Sequence, residues 1–207
     1  MLSKKLFYSL IVLLLIPHIT YGQNEKVIRP VRVEGVISTD KVRPGSRFHV
    51  AIIVDISEGW YINAHSPLED YLIPTVLRFK DASGLKFSEI IYPDPVLKTF
   101  RFSGQKLAVY ESKAIIGSRV SASEVLSKGE LIIPGTLTYQ ACNNDMCLIP
   151  IEVEINIPVE IAGLEEPVHR INDELFSPLE TIWAHAEKNG DKGLKDEAFT
   201  EFEEMKK

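Results

Sequence analysis

The sequence predicts an all-β fold, an immunoglobulin-like antiparallel β-sandwich carrying a short α-helical C-terminal extension. Three observations carry that expectation. Between residues 27 and 161, β-branched and apolar residues come in short runs closed by Gly, Pro, Asn or Asp turn signals. Seven or eight such runs at this spacing suit two packed antiparallel sheets. After Gly163 the apolar period lengthens to that of a helix.

Taken in order, Val31, Val33 and Gly35-Val36 alternate with polar neighbours, and residues 48–54 (Phe-His-Val-Ala-Ile-Ile-Val) are rich in side chains that favour extended backbone. Further strands are expected at 60–63, 75–79, 86–92, 107–116, 130–142 and 147–157. The breaks between them are Arg43-Pro44-Gly45-Ser46, Glu58-Gly59, Asp81-Ala82-Ser83-Gly84, Pro93-Asp94-Pro95 and Ser127-Lys128-Gly129. Trp60 and Tyr61 are expected to fill the sandwich core. In the extension, Ile171, Leu175, Leu179, Ile182 and Trp183 share one helical face. Ser177 is the expected cap and Pro178 the first helical residue. Asn189-Gly190 would end this helix, and a second, acidic helix is expected from Leu194 to Met205. The apolar stripe is expected to pack on the sandwich, with partner binding as its functional alternative.

Residues 1–22 have the features of a secretory signal. Lys4 and Lys5 precede a largely apolar stretch of eleven residues from Leu6 to Ile16, Pro17 breaks the run, and Thr20 and Gly22 are small. The apolar run is shorter than the roughly 20 residues that span a bilayer. The chain is therefore expected to be exported and, after cleavage, not to span the membrane. The division expected is 1–22 signal, 23–163 sandwich domain and 164–207 acidic helical extension. Net charge is −6, and from Glu165 onward there are twelve acids against six bases, while the preceding residues balance. Nothing here supplies the basic footprint that nucleic-acid binding needs.

Only two cysteines are present, Cys142 and Cys147, separated by the turn-prone residues Asn143-Asn144-Asp145-Met146. Residues facing one another across such a hairpin have Cα atoms roughly 4.5–5.5 Å apart, within reach of a disulfide. A bridge closing so short a loop contributes about 2 kcal/mol, and a domain of this length can bury a sufficient core without it. Two readings stay open. The bridge is a hairpin clasp, or it is a reversible dithiol whose short, exposed loop invites attack by another thiolate. A metal site would need more ligands, and Met146, His49, His65, His169 and His185 show no ligand spacing. No metal and no cofactor are expected. There is no Gly-rich phosphate loop, no Ser/His/Asp pattern and no His-Glu-x-x-His helix.

The stretches Gly59-Trp60-Tyr61-Ile62-Asn63-Ala64, Ser66-Pro67, Pro74-Thr75, Tyr92-Pro93, Val109-Tyr110 and Tyr139-Gln140-Ala141-Cys142-Asn143…Cys147-Leu148 resemble the N-terminal periplasmic domain of the thiol:disulfide interchange protein DsbD. The likeness covers roughly residues 27–159. It implies an immunoglobulin-like fold and a periplasmic thiol-disulfide exchange carrier. Such a carrier takes electrons from a membrane thiol reductase and hands them to periplasmic thioredoxin-fold proteins, those of cytochrome c maturation among them. Cys142 and Cys147 would be the redox pair, with Cys147 facing partners and Cys142 resolving the mixed disulfide. A cap would cover the pair, with Phe102 (or else Phe100) as its aromatic shield and lid and Gly104 letting it open. Tyr61 and Asn63 would lie near the pair on an adjacent strand, and Tyr139 beside it within the motif. The chain departs from the family pattern in three ways. Four residues separate the cysteines where some members have five, Ile149 precedes Pro150 where two prolines are usual, and the acidic residue of some caps is missing. The membrane reductase and C-terminal thioredoxin domain of the full-length protein are absent from these residues, so electrons would come from a separate membrane protein. The alternative is an immunoglobulin-like binding module with the bridge as a clasp.

Overall fold

The computed structural model describes residues 29–102 and 104–189; the expected export signal and second acidic helix lie outside them. In chain order the strands are β1 (Val31–Ile37), β2 (Arg47–Ile56), β3 (Tyr61–Asn63), β4 (Val76–Phe79), β5 (Leu85–Ile91), β6 (Val96–Thr99), β7 (Lys106–Tyr110), β8 (Lys113–Ala122), β9 (Gly129–Tyr139), β10 (Ala141–Cys142) and β11 (Ile151–Ile161), followed by the helix α1 (Asp173–Asn189).

One layer is the antiparallel sheet β1-β2-β8-β5. The facing layer has two parts, β11-β9-β4 and β10-β3-β7-β6, joined where β9 runs through Gln140 into β10. Both layers feed a single core. Val50, Ile52, Val54, Ile116 and Val120 come from one side, and Ile62, Ile133, Leu137, Ile155 and Ile157 from the other. The sequence dictates this by simple alternation. In β11, Ile155, Ile157, Val159 and Ile161 point inward while Asn156, Pro158 and Glu160 face solvent. The result is the immunoglobulin-like antiparallel sandwich that the strand pattern implies.

The run 107–116, expected as one strand, is two. β7 ends at Tyr110, and the chain turns at Ser112 (φ 63°) before crossing to the other layer as β8. The Ser112 carbonyl accepts the Ile56 N–H at 2.8 Å, which fixes the crossing. The segment expected at 147–157 becomes regular strand only at Ile151. β6 has no counterpart among the expected strands, being four largely exposed residues. Trp60 packs against the main core, but Tyr61 does not join it; its ring belongs to a second cluster with Leu72, Phe100, Leu107 and Val109.

Helix α1 begins at Asp173, five residues before Pro178, so Ser177 is not its cap. Asn172 (φ 58°) turns the chain instead. Its carbonyl accepts the N–H groups of Leu175 and Phe176, and its side-chain amide donates to the Ile37 carbonyl at 3.0 Å. Anchoring to β1 and burial of Phe176 start the helix early, where Asp173 and Glu174 suit the positive end of its dipole. Pro178 then removes one internal hydrogen bond near the start. Of the expected stripe, Leu175, Leu179 and Trp183 pack with Phe176 on the outer face of β1-β2-β8-β5 around Ala51, beside Val36, Ile91 and Ile115, whereas Ile171 precedes the helix and is exposed. His49 stacks on Trp183 with ring centroids 4.6 Å apart, and burial holds its pKa below the ordinary value. Gly117 makes room for the helix. A Cβ there would sit 2.9 Å from Leu179 Cδ1 and 3.3 Å from Trp183 Cη2. Among the described residues no helix is long and apolar enough to cross a membrane.

The corner between β11 and α1 is pinned by charge. The Glu166 carboxylate accepts hydrogen bonds from the ammonium groups of Lys41 and Lys128 and from the Gly163 N–H. Arg43 donates to the carbonyls of Leu164 and Glu166. The bond from Lys41, then that from Lys128, holds the Glu166 carboxyl at about 2, below its ordinary 4.5. The depressed value means the stabilisation is complete above pH 4.5 and is lost as pH falls toward 2. In Glu166→Gln, the fall in urea stability between pH 4.5 and 2 should be shallower than in the wild type. Gly117→Val should cost about 1–3 kcal/mol by overpacking the helix, read from urea unfolding with Trp183 fluorescence reporting the disturbed contact.

Candidate functional site

After Tyr139 the chain passes through Gln140 and pairs with β3 as the edge strand β10, with Ala141 opposite Ile62 and Cys142 opposite Tyr61. It then reverses over Asn143 to Met146. The Asn143 side-chain oxygen accepts the N–H groups of Asp145 and Met146, both at 2.9 Å. The Asn143 N–H donates to the Met146 carbonyl, and the Leu148 N–H to that of Ala141, each at 2.8 Å. These bonds carry Cys147 back opposite Cys142 as an isolated bridge. The two residues form a disulfide with Cα atoms 3.9 Å apart, closer than the spacing ordinary for facing strand residues.

A polar chain clamps both ends of the hairpin. Buried Asn63 donates through Nδ2 to the Ile73 carbonyl at 2.9 Å and to Gln140 Oε1 at 3.2 Å. Gln140 Nε2 in turn donates to the Leu148 carbonyl at 3.1 Å. The residue before β10 and the residue after Cys147 are thus tied to one another and to β3. Gln140 carries this link, a role that its place in the cysteine motif left unassigned.

The two sulfurs differ in environment. Cys142, in a strand against the body, is buried, whereas Cys147, at the end of a loop, is partly exposed. Met146 and Ile149 beside it are exposed apolar side chains.

Over Tyr61 lies the segment after β6. Phe100 is completely buried and packs edge-on against the Tyr61 ring, centroids 5.1 Å apart. The Lys98 ammonium stands 4.9 Å from the centre of the same ring and pairs with Glu111 at 2.9 Å. Phe102 sits 5.4 Å from Phe100 and remains 41% exposed. Gly104 (φ 66°) donates its N–H to the Phe100 carbonyl, closing the turn in a backbone region that glycine tolerates best. Arg101 reaches from this segment to Asp145 in the cysteine loop at 2.7 Å. Of the two shield candidates, Phe100 is the one packed on the residue opposite Cys142. Tyr61 and Asn63 lie on the strand beside the pair, while the Tyr139 ring joins the main core, where burial raises its hydroxyl pKa. Arg101 and Asp145 carry no sequence signal of their pairing, being 44 positions apart. Among the described residues no group of three or more His, Cys, Asp and Glu is placed to hold a metal.

Residues 31–158 match the family model described as thiol:disulfide interchange protein DsbD, N-terminal. No curated protein sequence matches the chain. Among solved structures, the N-terminal periplasmic domain of ScsB from Proteus mirabilis is 17% identical with a TM-score of 0.48, covering 75% of this chain and 54% of that one. The chain thus spans about half the length of that structure. The reduced DsbD N-terminal domain of Neisseria meningitidis is 17% identical, with a TM-score of 0.38 over 66% of this chain and 89% of that one. For the complex of DsbD and PilB N-terminal domains from the same organism, the values are 18% and 0.36, over 59% and 80%.

The two aromatics after β6 should separate on substitution. Phe100→Ala should cost about 3–5 kcal/mol, whereas Phe102→Ala should cost less than about 1 kcal/mol, both from urea unfolding with the disulfide intact.

Proposed function

The chain belongs to the family of DsbD N-terminal domains, a family of thiol-disulfide interchange, and on that premise we propose that it is a periplasmic dithiol carrier. Residues 1–22 export it, residues 23–163 form the exchange domain and residues 164–207 the extension. It draws electrons from a membrane thiol reductase and passes them to periplasmic thioredoxin-fold proteins, including those that prepare thiols for cytochrome c maturation. Cys147 is the partner-facing nucleophile and Cys142 the resolving thiol. The segment carrying Phe100, Phe102 and Gly104 is the cap over the pair.

The chemistry follows from the difference between the sulfurs. A donor thiolate attacks Cys147 Sγ, the Cys142–Cys147 bond breaks and Cys142 leaves as the thiolate. The donor's second thiolate closes the donor disulfide and releases Cys147, so two electrons and two protons end on the pair. In the next step the Cys147 thiolate attacks a client disulfide and forms a mixed disulfide. Cys142 then attacks Cys147 Sγ, re-forms the bridge and frees the client as a dithiol. The step is exchange between proteins and uses no prosthetic group. The observation that carries this reading is the family match enclosing a disulfide whose second cysteine is partly exposed and whose first is buried.

In Cys142→Ser, Cys147 should accumulate covalent adducts with thioredoxin-fold proteins that dithiothreitol releases. Cys147→Ser should trap far fewer, because the remaining sulfur is buried. The reduction potential of the pair should fall between about −270 and −180 mV, the range of known exchange proteins. A potential below about −300 mV, with no adduct formed by an accessible Cys147, would favour the clasp and a binding module instead.

A further inference from the structure

We propose that the Arg101–Asp145 ion pair is a latch: it holds the segment carrying Phe100 and Phe102 against the cysteine loop and slows entry of a thiolate to Cys147. The proposal rests on the exchange reading of the disulfide. Asp145 stands two residues before Cys147, its backbone N–H fixed by the Asn143 side chain. Its carboxylate therefore belongs to the turn that presents the sulfur. Arg101 stands between an anchored aromatic, Phe100, and a half-exposed one, Phe102. Its guanidinium donates to Asp145 at 2.7 Å and so joins the two segments directly.

The magnitude suits a latch. Both side chains are open to solvent, 77% and 69% exposed, and exposed pairs of this kind shift an equilibrium by no more than about fivefold. A contact that weak favours closure without preventing a docking partner from displacing it. Neither charge contributes to a core cluster, so neutralising either one leaves the packing of the sandwich intact.

The test is the rate at which dithiothreitol reduces the disulfide in the full chain, compared among wild type, Arg101→Gln, Asp145→Asn and the double variant. In that reaction the reductant's thiolate attacks Cys147 Sγ and Cys142 leaves. The second reductant thiolate then closes a ring and releases Cys147. A latch makes both single variants faster, by about two- to fivefold, and the double variant no faster than either single, because one contact cannot be broken twice. Added salt should speed the wild type toward the variants and leave the double variant unchanged. A direct field on the attacking anion gives a different pattern, in which loss of the cation slows reduction and loss of the carboxylate speeds it. That pattern, or equal rates throughout, overturns the latch while leaving the exchange reading in place. A bridge that resists dithiothreitol in all four proteins would remove the exchange reading, and the latch with it.

Discussion

Two residue pairs, Ala141 against Ile62 and Cys142 against Tyr61, hold the disulfide on the sandwich. Strand β9 lies in the three-stranded part of its layer, and only the two residues of β10 beyond it join the neighbouring sheet. Their pairing is too short to be stable in isolation. It is supported by the hydrogen bonds through Asn63, Gln140 and Leu148, which hold the hairpin at both its entry and its exit. β10 is also an edge strand, with β3 as its neighbour in the sheet. The cysteine loop is therefore rigidly mounted at a margin of the fold that can be approached from outside.

That mounting gives two chemically equivalent residues unequal surroundings. Cys142 is the last residue of a strand and shares the burial of the sheet, while Cys147 ends a four-residue excursion and stays partly open. On the proposed reading, burial keeps external thiols from the first cysteine and leaves it to react with the second. Resolution of a mixed disulfide is that kind of intramolecular step. Phe100 packs on Tyr61, the residue directly across the sheet from Cys142.

The sandwich was legible because strands such as β11 alternate strictly and because Gly and Pro punctuate the chain. The cysteine pair was legible from its turn-forming spacer and its neighbouring motif. What escaped has physical reasons. A turn at Ser112 has no Gly, Pro, Asn or Asp beside it to mark it and is held by the carbonyl bond to Ile56, so two strands read as one. The start of α1 follows from Asn172 bonding to a β1 carbonyl, a tertiary contact that outweighed the local Ser-Pro signal. Tyr61 and Trp60 are adjacent in sequence and hydrophobic alike, yet strand geometry sends them to different clusters. The Arg101–Asp145 pair depends on two loops meeting in space, which no local pattern encodes.

A domain that exchanges its disulfide must keep its shape when the bridge is open. Here the bridge closes so short a loop that it contributes only about 2 kcal/mol through the unfolded chain. Neither cysteine belongs to any of the three hydrophobic clusters, which are built from the two layers, the Tyr61–Phe100 contact and the face beneath α1. The helix adds to this independence. Its apolar stripe covers β1-β2-β8-β5 over the space left by Gly117, whereas the cysteines belong to the opposite layer. Stability and reactivity are thus assigned to different parts of the molecule, and the hydrogen bonds that position the hairpin do not run through sulfur. Opening the bridge removes one covalent link from a loop whose backbone remains held by its neighbours, which is the condition for cycling between dithiol and disulfide without unfolding.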